Sequence, residues 1–171
     1  KRRYKELIEK DKERCLGSYC FLWGQKQEST ATWHGMFLSN GKPTEAVDVM
    51  QYCWIGEWPA SRAPSITDIH LDAKNWQKEH RVAPSTNVTL SLDYEKNNNK
   101  NLEFSYLLFP EAFSSKIGGD RQETPEKISL EIIEKSKSGI IFKTPKIKGA
   151  YRIFAYIKNF HGQCSVANIP F

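Results

Sequence analysis

The chain has 171 residues, enough for one ordinary domain or for a small domain plus part of another. Hydrophobic residues make up 39% of the sequence, so it can bury a core and is not disordered throughout. The formal net charge of +5 is modest and the basic residues are mixed with acidic ones, which predicts no nucleic-acid binding. No run reaches the roughly 18 apolar residues that a membrane-spanning helix needs, so no membrane span is predicted.

The first segment of the chain predicts a short surface helix. From Tyr4 to about Arg14, the apolar residues Tyr4, Leu7 and Ile8 recur at helical spacing among charged residues. The sequence opens on Lys1 with no capping residue before this helix, and we therefore expect that further protein precedes it.

An abrupt change from apolar to polar residues follows. Residues 19–23 form an apolar run between Gly17 and Gly24, which is typical of a strand buried on both faces. Such strands occur in parallel sheets, where residues just past the carboxyl end of a strand hold the ligand. Residues 32–38 then lead to an Asn-Gly turn, and Pro43 opens a second predicted helix that ends at Gly56.

The polar segment after this predicted strand suggests a sugar-binding rim. An indole face stacks on the apolar face of a pyranose, while amides and carboxylates bond its hydroxyl groups. We therefore predict that Trp23, Gln25, Glu28 and Trp33 bind substrate. Alternatives stay open: Trp23 can be a core residue, Trp33 can pack its loop onto the helix, and Glu28 can form a surface ion pair with Lys26.

Alternating apolar and polar residues dominate the sequence beyond a short linker at residues 61–65. Strands are predicted at residues 66–71, 88–94, 102–108, 128–133, 139–143, 151–158 and 164–169. The Asn-rich residues 95–101 predict one hairpin turn, and residues 159–162 predict another. Short strands with regular turns and no helix between them indicate an antiparallel sandwich of immunoglobulin-like type.

Two stretches resemble parts of known enzymes. The sequence Gly-Ser-Tyr-Cys-Phe-Leu-Trp-Gly-Gln-Lys-Gln-Glu at residues 17–28, with residues 32–37, 45–48, 54–56 and 62–64, resembles the last strand, loop and helix of a bacterial glycoside hydrolase barrel related to families 2 and 5. The motifs at residues 104–106, 110–111, 119–120, 149–154 and 167–171 are similar to an immunoglobulin-like module at the carboxyl end of such enzymes.

The resemblance implies an α+β fold in two parts. Residues 1–60 would be the terminal βα fragment of a TIM barrel, residues 61–65 a linker and residues 66–171 an all-β immunoglobulin-like sandwich. The chain would then be the carboxyl-terminal part of a secreted or periplasmic glycoside hydrolase. Trp23 would form the floor of a sugar subsite, with Gln25, Glu28 and Trp33 at the same rim.

The expected partners are a polysaccharide or oligosaccharide and the upstream part of the same barrel. The catalytic carboxylates of such enzymes lie on earlier strands, so no catalytic residue is predicted and the chain alone is expected to be inactive. The alternative is a non-catalytic module that binds carbohydrate or a protein, or acts as a spacer. No cofactor or metal site is predicted, and the four cysteines are expected to be free, buried thiols.

Overall fold

The structure, a computed structural model, describes residues 2–33, 35–113 and 122–171. Its helices are α1 (Arg2–Tyr4), a π-helical segment that continues it (Lys5–Glu9) and α2 (Glu45–Ile55). Its strands are β1 (Ser65–Leu71), β2 (Lys74–Asn75), β3 (Asn87–Glu95), β4 (Leu102–Pro110), β5 (Glu131–Lys135), β6 (Gly139–Lys143), β7 (Tyr151–Asn159) and β8 (Cys164–Pro170). Within this part of the chain, no helix has both the length and the apolar character to cross a membrane.

The strands form two antiparallel sheets. One has the order β2-β1-β3-β6-β5 and the other the order β4-β7-β8. Apart from the short β2, this strand order is that of constant-type immunoglobulin sandwiches. Tyr151, the first residue of β7, donates from its hydroxyl to the carbonyl of Ile147 over 2.7 Å. A tyrosine at this corner of the sandwich, bonded to the backbone just upstream, also recurs in that class of fold.

The hydrophobic core lies between the two sheets. Alternate residues of each strand point inward, so Val88, Leu90 and Leu92 of β3 meet Ile153 and Ile157 of β7 in one buried cluster. The predicted β-sandwich is confirmed, because each of the seven predicted strands overlaps an observed one. The period-2 pattern is a reliable signal where one face of a strand is buried, as in β3.

One predicted hairpin is wrong. The Asn-rich segment after β3 does not join paired strands: β3 pairs with β1 and β6, whereas β4 pairs with β7. The segment therefore crosses from one sheet to the other. The hairpin predicted at residues 159–162 is confirmed, since β7 and β8 pair along their length.

The predicted α+β fold with a TIM-barrel βα fragment is wrong. The structure is mostly β, with two antiparallel sheets and only short helices in the described residues. Residues 17–27 form no strand and run as bends and turns, with Phe21 68% exposed. A strand buried on both faces needs neighbours that satisfy its backbone groups, and without such neighbours this segment adopts irregular structure.

The predicted second helix is present as α2, and it lies against the sandwich. Thr44 caps its amino end by accepting a hydrogen bond from the Ala46 amide, and Gly56 ends it in the left-handed conformation. Just before the helix, the carbonyl of Pro43 accepts a hydrogen bond from the amide of Cys164 over 3.0 Å. The resemblance motifs at His34 and at residues 119–120 lie outside the described residues.

Candidate functional site

Trp23 lies in a half-exposed aromatic cluster. Its ring centroid is 5.2 Å from that of Phe37 and 6.0 Å from that of Trp54. The segment is held by hydrogen bonds from the Met36 amide to Leu22 and from the Phe37 amide to the Gly24 carbonyl. Trp23 is 55% exposed and Trp54 is 49% exposed, so both indoles present part of their surface to solvent.

The other three residues predicted to bind substrate are Gln25, Glu28 and Trp33. The Gln25 side-chain amide donates to the carbonyl of Ala31 over 3.2 Å. The Glu28 carboxylate lies 2.7 Å from the Lys26 ammonium group, the ion pair that was the alternative interpretation of this residue. Trp33 is 65% exposed.

Of the four predicted residues, all in the described part of the chain, Gln25 alone lines the cavity over the outer face of the three-stranded sheet. This cavity has a volume of about 200 Å³. The remaining residues around it come from the loop before α2, from β4 and β7, and from the segment after β4: Gln27, Ser29, Thr30, Ala31, Ser39, Leu107, Phe109, Pro110, Ala112, Thr124, Pro125, Arg152, Phe154 and Tyr156. The cavity lies between the loop and the sheet.

A second cavity of about 260 Å³ continues from the first. The two share Ala31, Ser39, Leu107 and Tyr156, and the second extends to Lys158. Burial raises the pKa of Tyr156 to about 12, so its hydroxyl stays protonated at neutral pH and can donate a hydrogen bond.

The sequence of β7 indicates this covered surface, although the alternation used to predict the strand does not. In β7, Ile153, Ala155 and Ile157 face the core, while Phe154 and Tyr156 lie on the opposite face. A strand that is apolar on its core face and aromatic on the other indicates that both faces are covered. The loop before α2 provides that second cover.

A buried polar joint connects α2 to the sandwich. The Asp48 carboxylate accepts a 2.7 Å hydrogen bond from the Ala63 amide. Burial raises the pKa of Glu45, although hydrogen bonds with the hydroxyls of Ser65 and Ser165 and the charge of Arg62 act in the opposite direction. Burial also raises the pKa of Asp48.

Arg62 completes this joint through aromatic stacking. Its guanidinium carbon lies 3.8 Å from the centroid of the Trp58 ring, and Trp58 in turn stacks on Tyr52 at 4.5 Å. Trp58 therefore joins the linker to α2, whereas Trp54 contacts Trp23.

Among the described residues, no three His, Cys, Asp or Glu side chains lie close enough together to hold a metal ion. All four cysteines are free; Cys53 and Cys164 are buried, while Cys15 and Cys20 are partly exposed. Burial raises the pKa of Cys164 to about 11, which keeps this thiol protonated and poorly reactive.

The chain matches no protein-family model, and no curated protein sequence matches it.

Proposed function

We propose that the chain is the carboxyl-terminal portion of a carbohydrate-active enzyme of the glycoside hydrolase type, to which it contributes a sugar-contacting aromatic surface and an accessory β-sandwich. The observation that carries the proposal is the pair Trp23 and Trp54, whose rings lie 6.0 Å apart at an angle of 32°. Indole surface that is half exposed suits the apolar face of a pyranose. The proposal includes a secreted or periplasmic location, and it does not rest on a barrel strand, because residues 17–27 form none.

In this proposal the chain binds sugar but supplies no catalytic residue. Glycoside hydrolysis uses two carboxyl groups, about 5 Å apart in retaining enzymes and about 6.5–9.5 Å apart in inverting ones. Glu28 is paired with Lys26 at 2.7 Å, and we assign it no catalytic role. The isolated chain is therefore expected to bind oligosaccharide without hydrolysing it.

A titration with cellohexaose, xylohexaose and mannohexaose, followed by calorimetry, tests the proposal. Trp23→Ala should weaken binding of the hexaose that the wild-type chain prefers by about tenfold, which corresponds to about 1.4 kcal/mol. Trp76→Ala is the matched control, because Trp76 is 58% exposed and follows β2 of the sandwich. No binding of any of the three hexaoses, or equal losses in the two variants, would contradict a sugar surface at Trp23.

A second candidate is a non-catalytic module that binds carbohydrate or a protein, or acts as a spacer. It is favoured by the internal bonding of the predicted rim, because the Gln25 amide and the Glu28 carboxylate both have partners in their own loop. The two candidate functions predict different results for a longer natural polypeptide that contains this sequence. Trp23→Ala should lower its kcat/KM for the hexaose if the chain is part of an enzyme site. If only retention on the insoluble polysaccharide is lost, the chain is a separate binding module.

A further inference from the structure

We propose that the outer face of the three-stranded sheet carries a second carbohydrate site, separate from Trp23 and Trp54. The site is the continuous space formed by the two cavities between residues 25–40 and strands β4 and β7, here called the sheet groove. Its ligand is a short neutral saccharide. The inference extends the proposed function, because both assume a carbohydrate ligand, but it rests on different residues.

The floor of the sheet groove is aromatic and apolar. Phe109 and Phe154 meet edge to face with their centroids 5.6 Å apart, and the rings of Phe154 and Tyr156 are nearly parallel at 6.4 Å. Leu107, opposite Phe154 in the strand register, continues this surface. Phe154 is only 5% exposed, so the partly exposed Leu107, Phe109 and Tyr156 provide most of the surface that can contact one face of a pyranose.

The roof supplies polar groups that a sugar can use. Gln25 and Gln27 contribute amides, and Ser29 and Thr30 contribute hydroxyls. The Gln25 amide nitrogen already donates to Ala31, so Gln25 would use its side-chain oxygen to accept from a sugar hydroxyl. The roof is also held in place, because the Ser29 amide donates to the Gln122 side chain over 2.9 Å and Thr124 donates to Gln27. A ligand that is apolar on one side and rich in hydroxyls on its edges matches both walls.

The charge of the first cavity favours a neutral ligand. Arg152 is the charged residue among those lining the first cavity, and its guanidinium donates three hydrogen bonds of 2.9–3.1 Å to Glu111. A further bond joins it to Asn168. Because its charge is already compensated, Arg152 offers little attraction to a phosphate or carboxylate. Lys158, at the far end, can donate to a hydroxyl group.

The length of the sheet groove favours more than one sugar unit. It follows β7 from Arg152 to Lys158, which spans roughly 20 Å at about 3.3 Å per residue. Ser39 lines both cavities and therefore lies at their junction. A large side chain at this position should divide the groove without altering either sheet.

Nuclear magnetic resonance titration of the whole chain with the same three hexaoses tests the inference. Backbone amide shifts of Phe154 and Tyr156 report on the sheet groove, and the Trp23 and Trp54 indole N–H shifts report on the aromatic pair. Ser39→Trp should abolish the shifts in the groove and leave the indole shifts unchanged. Trp23→Ala should do the reverse, so failure of one site is distinguishable from failure of the other.

Tyr156→Phe provides a second, milder variant in case Ser39→Trp does not fold. It removes one hydroxyl and should weaken binding in the groove about five- to tenfold, as expected for one lost hydrogen bond of about 1 kcal/mol. The absence of any hexaose-induced shift at Phe154 and Tyr156 would overturn the inference. So would groove shifts that persist unchanged in folded Ser39→Trp or in Tyr156→Phe.

Discussion

At the scale of single residues, Gly139 shows how closely two central strands approach. It opens β6 opposite Ser91 of β3. A Cβ atom at this position would collide with the carbonyl oxygen of Leu90, and it would also come within 3.0 Å of the Ser91 Cα. These are backbone atoms of a paired strand, so they cannot rotate away as the end of a side chain would. Only glycine fits this position without moving a strand.

We therefore expect Gly139→Ala to lower the free energy of unfolding by about 3 kcal/mol, the upper part of the usual range for overpacking. Urea unfolding followed by circular dichroism measures this loss. Gly149→Ala is the matched control, because its Cβ would lie 3.5 Å from the Tyr151 ring, an ordinary contact. A control change within about 0.5 kcal/mol is expected. Equal stability of the two variants would contradict the close approach of β6 to β3.

At the scale of elements, one buried asparagine joins the β7–β8 turn to the linker. Asn159 ends β7 and is 7% exposed. Its side-chain oxygen accepts hydrogen bonds from the amides of His161 and Gln163, each over 3.0 Å. Its side-chain nitrogen donates to the carbonyl of Arg62 over 3.1 Å. The segment predicted to be a linker is thus bonded to the sandwich through this residue.

Asn159→Ala should destabilise the protein by about 1–3 kcal/mol, because it leaves buried partners without hydrogen bonds. The turn and the linker should also lose protection in hydrogen exchange. Asn101→Ala is the control, since Asn101 is exposed. Unchanged exchange at residues 61–65 in Asn159→Ala would show that the linker is held by other contacts.

The elements also show what the sequence could predict. A strand such as β3 is predictable because its alternation reports burial of one face, a property local to the strand. The strand predicted at residues 19–23 was wrong because an apolar run between glycines does not specify the partners that a strand needs. Without such partners, Tyr19 is fully exposed and Phe21 is 68% exposed. Pairing between distant strands, such as β4 with β7, depends on the whole topology.

The candidate site, like the fold, could be predicted only in part from the sequence. Trp23 was singled out from its local sequence, and it is half exposed beside Trp54. Gln25 lines a cavity instead, because the loop that carries it lies across β4 and β7. No local pattern relates Gln25 to Phe154, which is more than 120 positions away in the sequence. Such a site follows from the tertiary arrangement of loop and sheet.

At the scale of the whole molecule, the amino-terminal third is fixed to the sandwich through polar contacts. The Asp48–Ala63 and Pro43–Cys164 hydrogen bonds place α2 against the start of β1 and β8. Glu45, at the first turn of α2, lies at the same joint beside Ser65 and Ser165. Two carboxyl groups with raised pKa values therefore occupy the junction. Their protonation links the stability of the molecule to pH.

The sign of this linkage follows from the direction of the shift. A carboxyl group whose pKa is higher in the folded than in the unfolded state binds its proton more tightly when folded. The stabilisation is complete below the unfolded value, 4.5 for Glu45, and is lost as the pH rises through the raised folded value. Above that folded value the ionised Glu45 is thus a cost to folding. Glu45→Gln, which is permanently uncharged, removes that cost.

We expect Glu45→Gln to be more stable than the wild-type protein at pH 7, and the gain to shrink as the pH falls toward 4.5. Urea unfolding at pH 4, 5.5, 7 and 8 measures the change. The loss of a favourable charge at the amino end of α2 would reduce the gain by about 0.3–1 kcal/mol at every pH where Glu45 is ionised. The test is therefore how the difference in unfolding free energy between Glu45→Gln and the wild-type protein changes with pH. Glu57→Gln, at an exposed position just after α2, is the control and should show a much smaller change. A Glu45→Gln variant that is less stable than the wild-type protein at pH 7, by a deficit that shrinks as the pH falls, would mean that ionised Glu45 stabilises the joint.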